Sequence, residues 1–252
     1  MFFIHGFSGS RHSFEPVFAH LPPSIHAFAL TQRGHGDASK PERGYTLDVF
    51  ATDAMAFMDA VGLDSAVVVG HSMGSAVALR MALDYPKRVQ ALVLIGAGPL
   101  APGGPKERAF WETTVSKLKD PLDPNLVRSF LETVYARPIP EERFESALRN
   151  SLKVPARVWR AMWKSRLEGR GTSGSLSEIG VPTLIIWGDQ DRRCTRDEQD
   201  ALLDGIPNAR LEIYEGVGHS PYAEAPERLA SDIAAFANEA LSRSDTNSGG
   251  VI

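Results

Sequence analysis

Cysteine is almost absent: the 252 residues include one, Cys194. That excludes an internal disulfide and a cysteine-built metal site. No His motif stands beside Cys194, so it reads as an incidental loop residue rather than a nucleophile. No apolar run approaches the roughly 20 residues that cross a bilayer. The start, Met1-Phe2-Phe3-Ile4-His5-Gly6, has no basic leader and too short an apolar run for a signal peptide. A cytoplasmic location is therefore expected. Neither charge sign is in large excess: the net charge is -4, with both signs interspersed. This gives no ground for nucleic acid or a membrane surface as a partner. There is no internal repeat. What is there is ordinary for a globular protein, 43% hydrophobic and 23% charged. The length suits one large α/β domain or one domain carrying an insertion.

One stretch organises the rest. The apolar run Ala66 to Val69 stops at Gly70-His71-Ser72-Met73-Gly74, and a small-residue helix follows from Ser75 to Tyr85, ahead of Pro86. The run suits a strand buried on both faces, as in a parallel sheet. The turn between strand and helix must be sharp, and its apex, Ser72, must sit in a strained backbone conformation. Strand and helix then approach so closely that Gly70 and Gly74 have no room for a side chain. The competing reading of Ser72 is a helix N-cap, a role Ser also favours.

In chain order, Met1 to Ile4 reads as a strand, followed by the glycine-rich turn His5-Gly6-Phe7-Ser8-Gly9-Ser10. A helix is expected over Ser13 to His20, a strand over Ile25 to Leu30, then a Gly/Pro-punctuated loop from Gln32 to Pro41. Thr46 should cap a helix from Leu47 to Val61. Val89 to Ile95 is a buried strand closing at Gly96-Ala97-Gly98. From 105 to about 169 there is no strand pattern. Four helical patterns appear instead: Lys106 to Leu118, Asn125 to Ala136, Glu141 to Leu152 and Ala156 to Leu167. The alternation then resumes, with a strand from Pro182 to Trp187, a helix from Thr195 to Leu203, a strand from Arg210 to Tyr214 and a helix from Pro226 to Leu241. The expected organisation is an α/β core over 1–99 and 176–241, a helical cap over 100–175, and a Ser/Gly-rich disordered tail over 242–252. The fold class is a mostly parallel, doubly wound sheet. Right-handed crossovers place every strand's C-terminal end on one edge, where active sites form in open α/β sheets.

That edge collects a chemically coherent set. A Ser hydroxyl needs a base to take its proton, and a His needs a carboxylate to fix its tautomer. Among seven histidines, His219 is the best base, because it follows the last strand in a Gly-rich loop. His5 reads as a brace for the first loop, His71 as structural, and His12, His20, His26 and His35 as exposed or structural. Asp189 and Asp191 both follow the strand ending at Trp187. Asp191 is favoured, since Asp189 directly follows Gly188 and can bond the turn's own backbone. Met73 and Phe7 would donate backbone N–H groups to a developing oxyanion.

The set His5-Gly6-Phe7, Arg33-Gly34-His35-Gly36, Gly70-His71-Ser72-Met73-Gly74, Gly188-Asp189-Gln190-Asp191 and Gly218-His219-Ser220-Pro221 resembles the α/β-hydrolase superfamily. More narrowly, it is similar to small serine esterases near the cofactor-free haloperoxidases (perhydrolases). The resemblance covers 1–98 and 181–240. It implies the triad Ser72, Asp191 and His219, with the oxyanion hole from Phe7 and Met73 and no metal or organic cofactor. It also implies that the helical segment is a cap.

The chain departs from that pattern in two ways. It lacks two strands that usually precede the His-Gly turn, so Ile25 to Leu30 becomes an edge. A loop or a second copy of the chain, making a homo-oligomer, is expected to cover it. The nucleophile is Ser rather than Asp, which argues against dehalogenase or epoxide-hydrolase chemistry. The expected substrate is a small, mostly apolar carboxylic ester. Trp111, Tyr135, Trp159 and Trp163 are the candidate pocket residues, with Phe110 and Met162 beside them. A lactone, a thioester or perhydrolysis would use the same triad. Carbon–carbon hydrolysis is disfavoured, because the first loop lacks Gly-Pro-Gly. A rival from another class is a ligand-binding protein on the same fold with little turnover.

Overall fold

The computed structural model describes residues 1–98, 100–169 and 175–248. Six strands form one sheet: β1 (Phe2–Ile4), β2 (Phe28–Leu30), β3 (Ala66–His71), β4 (Val89–Ile95), β5 (Thr183–Gly188) and β6 (Ala209–Tyr214). Their order is β2-β1-β3-β4-β5-β6 and every pairing is parallel. The helices are α1 (Glu15–Phe18), α2 (Leu47–Ala60), α3 (Met73–Asp84), α4 (Pro105–Thr113), α5 (Pro124–Glu132), α6 (Glu141–Leu152), α7 (Ala156–Glu168), α8 (Arg196–Gly205), α9 (Pro221–Glu224) and α10 (Pro226–Ser248). Among the described residues no helix is long and apolar enough to cross a membrane.

β1, β3 and β5 are buried along their whole length, as strands covered on both faces must be. Their side chains alternate between two cores. Phe2, Ile4, Val68, Leu92, Leu94 and Ile185 face α2, α3 and the helical segment. Phe3, Val67, Val69, Val93, Leu184 and Ile186 face Phe14 and Val17 and the apolar stripe Leu229, Ile233 and Phe236 of α10. α4 to α7 form an all-helical insertion between β4 and β5.

Four local expectations need correction. The strand expected from Ile25 is only Phe28–Leu30, because a turn following Pro22-Pro23, closed by Ile25 N–H on Pro22 O, consumes its first residues. β2 is the sheet's edge, and its brevity limits the pairing liability. The helix expected over Ser13 to His20 is a 3₁₀ turn, Arg11–Phe14, followed by α1. Thr46 occupies the N-cap position of α2, but its side chain makes no cap hydrogen bond. α10 continues to Ser248, seven residues beyond the expected end, across part of the segment expected to be disordered; 249–252 lie outside the described residues.

Candidate active site

The turn after β3 is as sharp as its sequence requires. Ser72 has φ 51° and ψ -116°, a conformation that L side chains rarely adopt. A Cβ added at Gly74 would collide with the Ile4 carbonyl and lie 2.7 Å from that of His5. One at Gly70 would collide with the Gly74 backbone. Both glycines are therefore set by contact between β1, β3 and α3. The Ser72 side chain makes no cap hydrogen bond, so the N-cap reading fails. Ser75 Oγ donates to Gly70 O at 2.8 Å and Ile95 O at 3.2 Å, bracing the turn from behind. Ser75 carried no motif signal.

On the far side, His219 Nδ1–H donates to Asp191 Oδ2 at 2.7 Å. The Asp191 side chain is wholly inaccessible and that of His219 is 6% exposed. Asp191 Oδ1 accepts the N–H groups of Arg193 at 2.7 Å and Cys194 at 3.0 Å. Burial alone would raise the Asp191 pKa. Its hydrogen bond to His219, the His219 charge and the two N–H groups outweigh that and hold it below the usual carboxylate range. Asp189 accepts the Gly216 N–H at 2.6 Å and so ties the β5 and β6 turns together. The choice between the two aspartates follows: one faces the histidine, the other the backbone. Gly96, at φ 53°, leaves room for the His219 ring, since a Cβ there would lie 3.0 Å from Nδ1.

The other histidines divide as their positions suggest. His71 Nε2–H donates to the His219 carbonyl at 2.8 Å, and burial lowers its pKa to about 3. His5 Nδ1–H donates to Gly6 O at 2.7 Å while its Nε2 accepts the Gln32 N–H at 3.0 Å. Burial, reinforced by His35, pushes His5 well below its usual value. His35 is also buried, which lowers its pKa to about 4. His12 bonds Glu15, and His20 and His26 are exposed.

The first loop runs directly beside the turn at Ser72. A Cβ on Gly6 would lie 2.6 Å from His71 Nδ1 and 3.1 Å from Ser72 Cβ. Among the described residues the Phe7 N–H has no acceptor. Met73 opens α3, so its N–H has no partner within the helix. Ser8, at φ 61°, is held through its hydroxyl and its carbonyl by Ser151 Oγ of α6, at 3.1 and 3.2 Å.

Ser72 and His219 line one cavity of about 1170 Å³ between the sheet edge and the insertion. Phe7, Met73, Phe110, Tyr135, Met162 and Trp163 line it too. Trp111 and Trp159 do not. Trp159 is fully buried behind the wall, its ring 4.5 Å from that of Phe7 and 5.1 Å from that of Phe130; Trp111 packs against the core. Helical periodicity gives no depth, so it could not separate lining rings from supporting ones. Two residues went unnoticed in the sequence. Glu224 accepts Ala136 N–H and Arg137 N–H at 3.0 Å each and Gly218 N–H at 3.1 Å. Arg137 donates to Gly216 O at 2.7 Å and Glu215 O at 2.6 Å. Together they stitch the α5–α6 loop to the turn that carries His219.

Among the described residues, Asp191, Cys194 and His219 form the only group that could hold a metal, with ligand atoms within 4.8 Å of one another. These atoms are already engaged, Cys194 Sγ with Gly96 O at 3.2 Å. Burial raises the Cys194 thiol well above its usual pKa, which makes it a poor nucleophile.

Residues 1–226 match the family described as alpha/beta hydrolase fold. Lipase 3 of Moraxella sp. (strain TA144) is 30% identical over 242 residues, covering 92% of this chain and 75% of that protein. A 2-hydroxy-6-oxononadienedioate/2-hydroxy-6-oxononatrienedioate hydrolase of Pseudomonas putida is 33% identical over 197 residues, covering 73% and 68%. An esterase from Exiguobacterium antarcticum superposes with a TM-score of 0.82 at 21% identity, over 94% of this chain and 91% of that one.

Proposed function

The chain belongs to the α/β-hydrolase fold family and is esterase- and lipase-like, and from that premise we propose that it cleaves a carboxylic ester through an acyl-enzyme on Ser72. His219 takes the Ser72 proton as the hydroxyl attacks the carbonyl, and returns it to the leaving alcohol. Asp191 holds the imidazole with Nε2 toward Ser72 and stabilises the imidazolium. The N–H groups of Phe7 and Met73 receive the oxyanion. Water, deprotonated by His219, then attacks the acyl carbon, and His219 returns that proton to Ser72 Oγ as the acid leaves. The observation that carries this reading is the convergence of a strained Ser72 and a buried, Asp191-bonded His219 on one cavity.

The insertion acts as a cap in this reading, with Phe110, Tyr135, Met162 and Trp163 setting an apolar acyl or alcohol site. Lactones and thioesters present the same carbonyl and are the alternatives within the class, as is perhydrolysis. The cytoplasm is the proposed compartment, on the sequence ground of a single cysteine.

The test is steady-state hydrolysis of p-nitrophenyl esters of increasing acyl length. The parent should turn over many times, and Ser72→Ala and His219→Ala should each lose at least about a thousandfold in kcat. A parent that is inert across the series, or a Ser72→Ala variant that keeps its rate, removes the reading. One slow turnover ending in a long-lived complex would favour a binding protein on this fold.

A further inference from the structure

Arg193 stands in the wall of this cavity and, among the described residues, makes no salt bridge. Its guanidinium lies over the Phe130 ring, 4.4 Å from the centroid. Nη2 donates to Thr133 Oγ1 at 2.6 Å and, longer, to Phe130 O at 3.5 Å. Among the described residues its Nε and Nη1 hydrogens have no acceptor and no carboxylate pairs with it. Asp191 is committed to His219 and to backbone N–H groups. Glu107, which also lines the cavity, acts on Arg193 through its charge but forms no hydrogen-bonded ion pair with it among the described residues.

The Arg193 side chain is half-buried, so its guanidinium has lost part of its hydration, which an anion in the cavity would restore. Burial here lowers the Arg193 pKa, and the nearby Asp191 and Glu107 charges raise it without cancelling that. The ring of Phe130 fixes its plane, and Thr133 fixes its in-plane rotation. The group is thus pre-set rather than free to swing out into solvent. It also stands two residues beyond Asp191, on the loop that closes the reacting end of the cavity.

We propose that Arg193 binds a carboxylate on the substrate, so that the natural ester carries a second, anionic group besides the ester carbonyl. This deepens the ester-hydrolase reading and rests on it for the reaction, though not for the binding site. The anion accepts from the unengaged Nη1 hydrogens of the guanidinium, beside the Nη2 that Thr133 holds. The rest of the substrate lies along the apolar wall of Phe110 and Trp163. Charge recognition at one end and apolar contact along the length would separate the natural ester from neutral lipids of similar size.

Two matched pairs, each differing in one charged group, test this. One is p-nitrophenyl hexanoate against the p-nitrophenyl monoester of adipic acid, with the charge on the acyl side. The other is methyl 4-acetoxybenzoate against 4-acetoxybenzoate, with the charge on the alcohol side. In at least one pair the parent should prefer the anionic member. Arg193→Met should raise KM for that member about tenfold or more while moving the neutral member less than about threefold. Arg193→Lys, which keeps the charge, should recover most of the loss. Calorimetric binding of the non-hydrolysable 4-acetamidobenzoate, against its methyl ester, reads the same site without turnover. Neutral esters hydrolysed well, with Arg193→Met affecting both members of each pair alike, would overturn the carboxylate site and leave the esterase reading standing. No ester hydrolysed, but 4-acetamidobenzoate bound with an affinity that Arg193→Met abolishes, would do the reverse. Equal binding of 4-acetamidobenzoate and its methyl ester to the parent, or none to either, would also overturn the proposal.

Discussion

The sheet edge and the helical insertion face each other across one cavity, yet they are built differently. At the edge, backbone meets backbone: β1, β3 and α3 touch at Gly70 and Gly74, and the first loop rests on the turn at Ser72. In the insertion, side chains meet side chains: Phe130 packs edge-on against Trp159 and Phe110 against Trp163, and α4 has no fully buried residue. The edge holds the turn at Ser72 by backbone contacts that leave no room for a methyl group. The insertion lines the facing wall of the cavity, and its side chains can be repacked without touching the turn at Ser72.

The largest effect should come from breaking backbone contact at the edge. Gly74→Ala puts a methyl group into the Ile4 and His5 carbonyls, where neither neighbour can yield. A cost of at least about 3 kcal/mol is expected, or a Tm fall on the order of 6–12 °C. Its counterpart in the insertion is Gly104→Ala, whose methyl would meet only Glu107 Oε2 at 3.4 Å. That variant should stay within about 0.5 kcal/mol of the parent. Thermal melts of the two decide it, and equal shifts would dissolve the contrast.

The same contrast explains what could be read from the sequence. A glycine forced by backbone contact leaves a fixed spacing, so Gly70, Ser72 and Gly74 were legible, and strand ends placed Asp191 and His219. The α/β alternation was legible for the same reason: hydrophobic period and Gly/Pro punctuation report on backbone. Which rings line the cavity was not. Trp159 and Trp163 are four apart on α7, one behind the wall and one in it, and periodicity assigns both to one face. Glu224 and Arg137 were invisible because the contacts that join the two regions run to or from backbone groups 78 to 88 residues away.

Acid should act on one region and spare the other. His5, His35 and His71 are all buried and neutral at the edge, whereas the described insertion, from Leu100 to Gly169, contains no histidine. Burial holds His35 near about 4 and His71 near about 3, below the value of about 6.5 in an unfolded chain. Below pH 6.5 the unfolded chain therefore binds protons that the native edge excludes. Stability is fully present above that pH and is lost as the pH falls toward the folded values. Each such group contributes about 1.4 kcal/mol per pH unit in that window. Melts between pH 7.5 and 5 should show Tm falling steeply below about 6.5. A flat profile over that range would mean the histidines are accessible after all.

The smallest effect should arise where the two regions are joined. Glu224 holds the Gly218 N–H, next to His219, and two N–H groups of the α5–α6 loop. Gln in its place keeps the shape but must set an amide NH₂ against one of those N–H groups. His219 should then lose part of its alignment with Ser72, and kcat should fall about tenfold for every acyl length, with KM little changed. Arg137→Met removes only the contacts to Gly216 and Glu215 carbonyls, on the outer side of the same turn. It frees the α5–α6 loop, so it should alter KM with acyl length and leave kcat nearly intact. The two profiles separate positioning of the base from shaping of the entrance. If both variants move kcat and KM together, the loop and the His219 turn act as one body, and the division between edge and insertion holds only away from this joint.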